Sequence, residues 1–400
     1  MKYIIIVGNG LTDQPVAERD NRTPLQLADI PNLDGLARNG SCGSLRAVPE
    51  DMTAGNDVSY TSLLGFAPEQ YQTGSAHYIA RALGIDTGKG ETPLCCDFII
   101  LQSSHNDMVM KDFTAGELDS AQSKELLEAL GKNIYDIDAS FHPGRGFRNL
   151  MVLKNATITA PLESPYELIG EGIRKFLPAE KETKDLAFIM NQAQIILHNH
   201  PFNQSRRQKK LDMVNSVWLW GTGVAQDLPN FEKSFGRKAL VISPDLLLQG
   251  MARSAGMDVD PLDEERIQTE TGYKELADAA LDALDRYDVV YVHATGAELP
   301  SLRGMIDEKI LAIEDFDSEL VGPLAQAAEQ RGDARLLVAI NHSASVVNMR
   351  YGKEPTPFVV YPAVDGLESA QDFDESIATK KSGAYENGPD FITAMLGGPA

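Results

Sequence analysis

The chain has 400 residues, 43% hydrophobic and 24% charged, an ordinary globular composition and a length that accommodates one large core plus a second, smaller one. Its formal net charge of -22, from 58 acidic and 36 basic residues, argues against nucleic acid or an anionic membrane surface as partner. The three cysteines, Cys42, Cys95 and Cys96, have neither zinc-site spacing nor the even count of a secreted disulfide framework, so reduced core thiols and a cytoplasmic location are expected.

Residues 1–14, MKYIIIVGNGLTDQ, carry an apolar run over 3–7 that stops at Gly8. The run is too short for the apolar part of a secretory signal, and no later segment approaches the length of a membrane span, so a soluble protein is expected. A β-branched run bounded by Gly suits a central parallel strand covered on both faces, and active sites collect at the carboxyl ends of such strands. Asn9 is the first side chain at such a place. An Asp there would meet a divalent cation directly, whereas the Asn amide offers only a neutral carbonyl oxygen. Residues 23–37 read as turn and helix, and 40–48 as a second strand. In PEDMTAGNDVSYTSLLGFAP, Ala54 and Gly55 form a tight turn, Asn56 or Asp57 is the natural N-cap, and 58–64 has helical spacing. A nucleophile on this turn would be raised into the site by the helix amino terminus. The residue is Asn56, whose amide has no usable lone pair for phosphoryl or acyl transfer, so a capping role is expected.

From about Gly88 the pattern changes to an inserted α+β lobe, with strands over 97–101 and 147–153 and helices over 115–130 and 166–176. In its polar loop HPGRGFRN, Arg148 is the residue suited to an anion, although an isolated Arg is more often a surface ion pair. A helix over 184–197 leads to a strand over 214–220, where the core sheet is expected to resume. Further strands fall at 239–243, 288–293, 336–340 and 357–361, and 307–331 reads as the longest and most regular helix. Polar residues gather at two strand ends, Thr295 to Glu298 and Asn341, His342 and Ser343. His77, His105, His142, His198 and His200 form no metal-ligand pair by spacing and are expected to be surface or core residues.

MKYIIIVGNGLTDQP, TPLQLADIPNLDGLARNG, NDVSYTSLLGFAPEQYQTG, FRNLMVLKN, VNSVWLWGTG, YVHATGAE, DEKILAIEDFDSELVGPL and PTPFVVY together carry a resemblance that covers the whole chain. The sequence resembles the archaeal-type, cofactor-independent phosphoglycerate mutases of the alkaline phosphatase superfamily. The resemblance implies an α/β, alkaline-phosphatase-like core over 1–88 and 200–400, its mostly parallel sheet covered by helices on both faces, with a smaller α+β cap inserted over 89–199. It implies interconversion of 3- and 2-phosphoglycerate on two divalent cations (Mn, Zn, Co or Mg), a Ser nucleophile and a cap that holds the phosphorylated substrate.

At the positions that would carry this chemistry the chain departs from the family. The metal-binding Asp of GDG falls at Asn9 and the nucleophilic Ser of GSD at Asn56. The Asp and His of DEAGH fall at Glu298 and Leu302, the DH pair is Asn341 and His342, and the last His falls at Tyr351. His342 alone is unchanged, with Glu298 a conservative replacement. The Arg after YTG is Ser75, the His and Asp of PHD are Tyr166 and Glu167, and Arg148 remains. Losing even one group that orients a metal ligand typically costs ~10–100-fold. The expectation is therefore a paralogue with no tightly bound cofactor that kept the fold, lost the two-metal chemistry and binds a ligand or partner. An active phosphomutase or phosphohydrolase with rearranged ligands on Glu298 and His342 is the alternative, and a non-catalytic structural subunit the second. A small phosphorylated or anionic metabolite and a homo-oligomeric partner are the classes left open.

Overall fold

Tyr3 to Val7 are buried on both faces of the strand they form, as a β-branched run between Lys2 and Gly8 should be. The computed structural model describes residues 1–400 apart from 72–73, 105–106, 159, 161, 224–225, 268–270, 381–382 and 398–400. The strands in chain order are β1 (Lys2–Gly8), β2 (Ser41–Leu45), β3 (Glu91–Ser104), β4 (Asp107–Asp112), β5 (Ala139–Arg145), β6 (Arg148–Lys154), β7 (Ser216–Trp220), β8 (Ala239–Ile242), β9 (Asp258–Asp260), β10 (Val289–Ala294), β11 (Ala334–Ile340), β12 (Thr356–Tyr361) and β13 (Ala384–Tyr385). The chain divides into two compact units, 1–72 with 227–400 and 73–226.

The first unit holds an eight-stranded sheet in the order β13-β2-β12-β11-β1-β10-β8-β9. β1 lies between β10 and β11, parallel to both, with Gly8 in register with Ala294 and Ile340. These strand ends therefore stop abreast, and the residues after them share one edge. β12 and β2 run antiparallel at the other side. Ile4 and Ile6 pack with Leu33, Leu36, Ala280, Phe316 and Leu324 from helices on one face. On the opposite face Tyr3 reaches the last helix, Gly388–Leu396, where its hydroxyl donates to Leu396 O at 3.3 Å.

The second unit holds a five-stranded antiparallel sheet, β4-β3-β6-β5, with β7 also paired to β3. Helix Ser120–Asn133, capped by the Asp119 side chain, packs on β5, and helix Lys184–Asn199 packs on β7. Two sequence expectations are corrected here. The strand over 214–220 does not resume the core sheet: Trp220 pairs with Cys95 and Ser216 with Ile99, so β7 completes the inserted unit. The insert consequently runs from 73 to 226 rather than from 89 to 199, since helix Ser75–Ala82 also packs on β3.

Three predicted helices are interrupted, each at an identifiable residue or contact. The stretch 23–37 is two helices, Pro24–Leu27 with a complete Thr23–Gln26 capping box, then Pro31–Asn39. The stretch 166–176 is two short 3₁₀ turns, because the intervening backbone leaves for β4, with Met110 bridging Ile169 and Val109 bridging Gly172. The stretch 307–331 contains a π-helical turn, Phe316–Val321, between helices Ile306–Asp315 and Gly322–Arg331. There the buried Asp317 carboxylate accepts from the backbone N–H groups of Asn32 (3.1 Å) and Leu33 (2.6 Å), capping helix Pro31–Asn39 from a distance. Pro323, which has no N–H to give the helix ladder, follows directly.

Candidate functional site

The polar residues that follow β1, β10 and β11 meet the amino terminus of helix Asn56–Leu63. Asn9 is fully buried, its N–H donating to Ala294 O at 2.8 Å. Asn341 and His342 follow β11 directly, and Glu298 opens the short helix Glu298–Leu302. Asn56 is the first helical residue, not the N-cap expected from sequence: Gly55 holds that position without any side-chain cap bond, which frees the Asn56 amide for the site.

The orientation of each amide follows from its partners. The Asn341 Oδ1 accepts from Gly10 N (3.2 Å) and His342 N (2.9 Å), so its Nδ2 must face Asn9 Oδ1, at 2.5 Å. Asn9 Nδ2 then donates to Tyr60 Oη at 3.1 Å. A carboxylate can only accept, so Asn56 turns Nδ2 to Glu298 Oε1 (2.7 Å) and leaves Oδ1 on the opposite side. That oxygen lies 2.9 Å from His342 Nε2, 3.4 Å from Asn341 Nδ2 and 3.5 Å from Asn9 Nδ2. The Asn9 and Asn341 amides therefore both turn N–H groups toward Asn56 Oδ1. Glu298 Oε1 takes a second neutral donor, the Tyr351 hydroxyl, at 2.5 Å. The Tyr351 ring stands 4.4 Å from that of His342.

Burial pushes the His342 pKa down to about 4, with His293 and Lys309 acting in the same direction and backbone contacts at Ser343 and His342 opposing. At neutral pH the ring thus carries a single proton while both nitrogens face acceptors, Nε2 the Asn56 Oδ1 at 2.9 Å and Nδ1 the Ser343 carbonyl oxygen at 3.1 Å, so it donates to one of them at a time. Leu302 is buried and brings no donor atom. Among the described residues, no group of three or more His, Cys, Asp and Glu side chains is placed to hold a metal ion.

Several residues of this region were not singled out from sequence. Tyr60 and Ser59 lie one turn beyond Asn56, and the spacing on the same helix face was their only signal; Ser59 Oγ accepts from Asn341 Nδ2 at 3.3 Å. His293, one residue before the end of β10, contacts Ser243 Oγ at 3.1 Å and meets the Tyr60 ring edge-on at 4.7 Å. Burial pushes its pKa to about 4 against the pull of Asp245. Lys309 is fully buried and donates to Asp13 Oδ2 (2.9 Å), Thr12 O (3.2 Å) and Ala344 O (2.6 Å), tying the loop after β1 to the loop after β11. Its pKa is lowered by burial, which the Asp13 charge opposes. Nothing in a helical EKIL pattern marks such a lysine in advance.

In the second unit, Arg148 at the start of β6 donates from Nε to Tyr166 Oη at 2.8 Å and lies over the Phe147 ring at 4.5 Å. The Tyr166 ring meets that of Trp220 edge-on at 5.6 Å. Glu167 lies in the same 3₁₀ turn as Tyr166, and Ser75 is the buried first residue of helix Ser75–Ala82. His142 contacts Ser140 Oγ at 2.9 Å, and the ring of His77 packs 5.8 Å from that of Tyr78. His200 caps helix Pro201–Gln208, and His198 closes helix Lys184–Asn199. His105 lies outside the described residues.

A parallel-centred sheet with a polar cluster at its strand ends, its chain interrupted by a smaller antiparallel unit, defines an α/β protein with a discontinuous core. The profile described as 2,3-bisphosphoglycerate-independent phosphoglycerate mutase matches residues 37–203. The phosphoglycerate mutase of Methanothrix thermoacetophila is 35% identical over 399 residues, covering 100% of both chains. A probable phosphoglycerate mutase of Geobacter sulfurreducens is 32% identical, covering 99% of this chain and 100% of its own. Among solved structures, a Pyrococcus horikoshii protein superposes with a TM-score of 0.73 at 21% identity, over 99% of this chain and 96% of the other. The cofactor-independent phosphoglycerate mutase of Thermoplasma acidophilum gives 0.55 at 24%, over 99% and 100%. The chain belongs to the 2,3-bisphosphoglycerate-independent phosphoglycerate mutase family.

Proposed function

We propose that this family member has lost the two-metal phosphoryl transfer that the resemblance implies and is retained to bind a small anionic metabolite, with Arg148 as the anchor for its charge. The observation that carries the first half is the polarity of the cluster. A pair of dications needs oxygens and imidazole lone pairs turned inward, whereas here the amide N–H groups of Asn9 and Asn341 turn toward Asn56 Oδ1. The Asn56 amide also sits between Glu298 and His342, the two side chains best able to hold a metal, and is in contact with both. Glu298 is the one formal negative charge among the aligned positions, too little to hold dications close together. The residues present do not fit the metal pair, and an amide at 56 supplies no hydroxyl for a phosphoenzyme.

The support for Arg148 is its half-buried place beside Tyr166 and Phe147, which pre-sets the guanidinium for an anion at low entropic cost. Purified protein supplemented with Mn²⁺ or Co²⁺ is assayed for interconversion of 3- and 2-phosphoglycerate, and binding of both is followed by calorimetry. Binding without turnover, lost in Arg148→Met, is the expected result. Metal-dependent turnover would overturn the proposal.

A further inference from the structure

The core unit carries a second charged region at the other end of β11 from the polar cluster. Arg335 is the second residue of that strand, about 20 Å along it from Asn341. It lies in register with Tyr3, on the face that helix Gly388–Leu396 covers. The acceptor at the end of that helix is already taken. Leu396 O receives Arg237 Nη2 at 2.7 Å, Arg237 Nε at 3.1 Å and the Tyr3 hydroxyl at 3.3 Å. Arg335 Nε is buried without an acceptor, and among the described residues the Arg335 side chain makes no hydrogen bond or ion pair. A buried donor left in this state is costly, so the site favours whatever brings an acceptor to it.

Arg335 lines a cavity of about 320 Å³ together with Asp365, Leu367, Tyr385 and Met395. Tyr385 is fixed in the wall by ring contacts with Phe358 at 5.8 Å and Phe391 at 5.3 Å. Asp365 is exposed, and its carboxylate likewise makes no hydrogen bond or ion pair among the described residues. One cation and one anion therefore border the same cavity without pairing with each other or with anything else described.

We propose that this cavity binds a small zwitterion of the amino-carboxylate class, its carboxylate on Arg335 and its ammonium toward Asp365. A guanidinium presents parallel N–H groups that match the two oxygens of a carboxylate, which supplies the acceptor that the fold withholds from Arg335 Nε. A simple anion of this size would meet the Asp365 charge, and a simple cation would meet Arg335. A molecule that carries both charges avoids both repulsions. The volume lies at the low end for small-molecule sites, which suits a ligand of this class. All of these residues belong to the core unit, so the site draws on neither Arg148 nor the cluster at the strand ends.

The test titrates the full-length protein at neutral pH with the unbranched amino acids from glycine to aminohexanoate, in which the separation of ammonium and carboxylate grows by one methylene at a time. Acetate and methylammonium serve as single-charge controls, and binding is followed by saturation-transfer NMR. One length should bind saturably and more tightly than either control. Arg335→Met should weaken that binding at least about tenfold, and Asp365→Asn, at an exposed carboxylate, about two- to fivefold. No saturable binding by any member of the series, or binding that Arg335→Met leaves unchanged, would overturn the site. Acetate bound as tightly as the best amino acid, with Asp365→Asn without effect, would overturn the zwitterion. Should Arg335→Met fail to fold, Asp365→Lys decides: it should abolish the preference for the amino acid over acetate, and an unchanged preference would overturn the proposal.

Discussion

Replacing Asn56 by Asp tests the polarity of the cluster with a change of one group. Asn56 Nδ2 lies 2.7 Å from Glu298 Oε1, so Asn56→Asp exchanges a charge-assisted hydrogen bond for two carboxylate oxygens in contact. At an effective dielectric constant near 20, two charges ~3 Å apart repel by about 5 kcal/mol, an upper limit that one carboxylate escapes by keeping a proton. The cost at neutral pH is then about 1.4 kcal/mol for each unit by which the folded pKa exceeds its unfolded value. The His342 imidazole, 2.9 Å from the same side chain, offsets part of it. We expect a loss of about 2–4 kcal/mol by urea unfolding at pH 8. Because the folded pKa is raised, the native variant binds the extra proton and the penalty is absent in acid. It grows as pH rises above about 4 and levels off beyond the folded value, so the loss at pH 5 should be about 1 kcal/mol. The new carboxylate, in contact with Glu298 and His342, also completes a set of three groups able to hold a single metal, and Mn²⁺ at 100 times its dissociation constant should restore about 2.7 kcal/mol. The wild type should gain nothing. An equal loss at pH 5 and pH 8, or Mn²⁺ stabilising both proteins alike, would refute the assignment of Asn56 as the group that separates Glu298 from His342.

Other expectations follow from the same contacts. His293 and His342 are held near 4 against an ordinary 6.5, so each contributes stability that is complete above about 6.5 and lost as pH falls toward 4. The combined loss should reach several kcal/mol, and His342→Gln should flatten part of the slope measured by denaturant titration. Lys309→Met leaves Asp13 buried without its cation and should cost about 3–5 kcal/mol in urea unfolding, whereas the Asp13→Leu, Lys309→Met pair should recover much of it. Gly10 has φ +69 and a Cβ there would approach the Ala344 Cβ to 2.8 Å, so Gly10→Ala should lower stability by about 1–3 kcal/mol and disturb the Gly10–Asn341 bond. Burial raises the Cys42 thiol to about 11 and Cys96 further, so neither should alkylate at pH 8 until the protein unfolds, as mass spectrometry of the labelled chain would read.

How far the sequence reveals this arrangement depends on how local the determining signal is. β1, β8, β10, β11 and β12 are short apolar runs bounded by polar or Gly residues, so periodicity alone places them within a few residues. The same signal is silent about partners: Val214 to Trp220 reads as a core strand, yet Cys95 and Ile99 of the other sheet receive it. The π-helical turn at Phe316–Val321 is invisible because its cause, Asp317 capping a helix some 285 positions away, is tertiary. Asn9, Asn56, Glu298, Asn341 and His342 could be grouped because each terminates a strand or opens a helix, and they do lie in contact. The direction of each amide could not, since Asn56 at a helix start looks like an ordinary cap until Glu298 and His342 fix which way it turns.

The central claim is that the cluster at the ends of β1 and β11 presents N–H donors where the family would present metal ligands. The most direct measurement is the metal content and Mn²⁺ affinity of the purified wild-type chain, by elemental analysis followed by calorimetric titration at neutral pH. The account predicts no stoichiometric zinc, manganese or cobalt and no saturable heat of Mn²⁺ binding. Two tightly held metal ions per chain would contradict it.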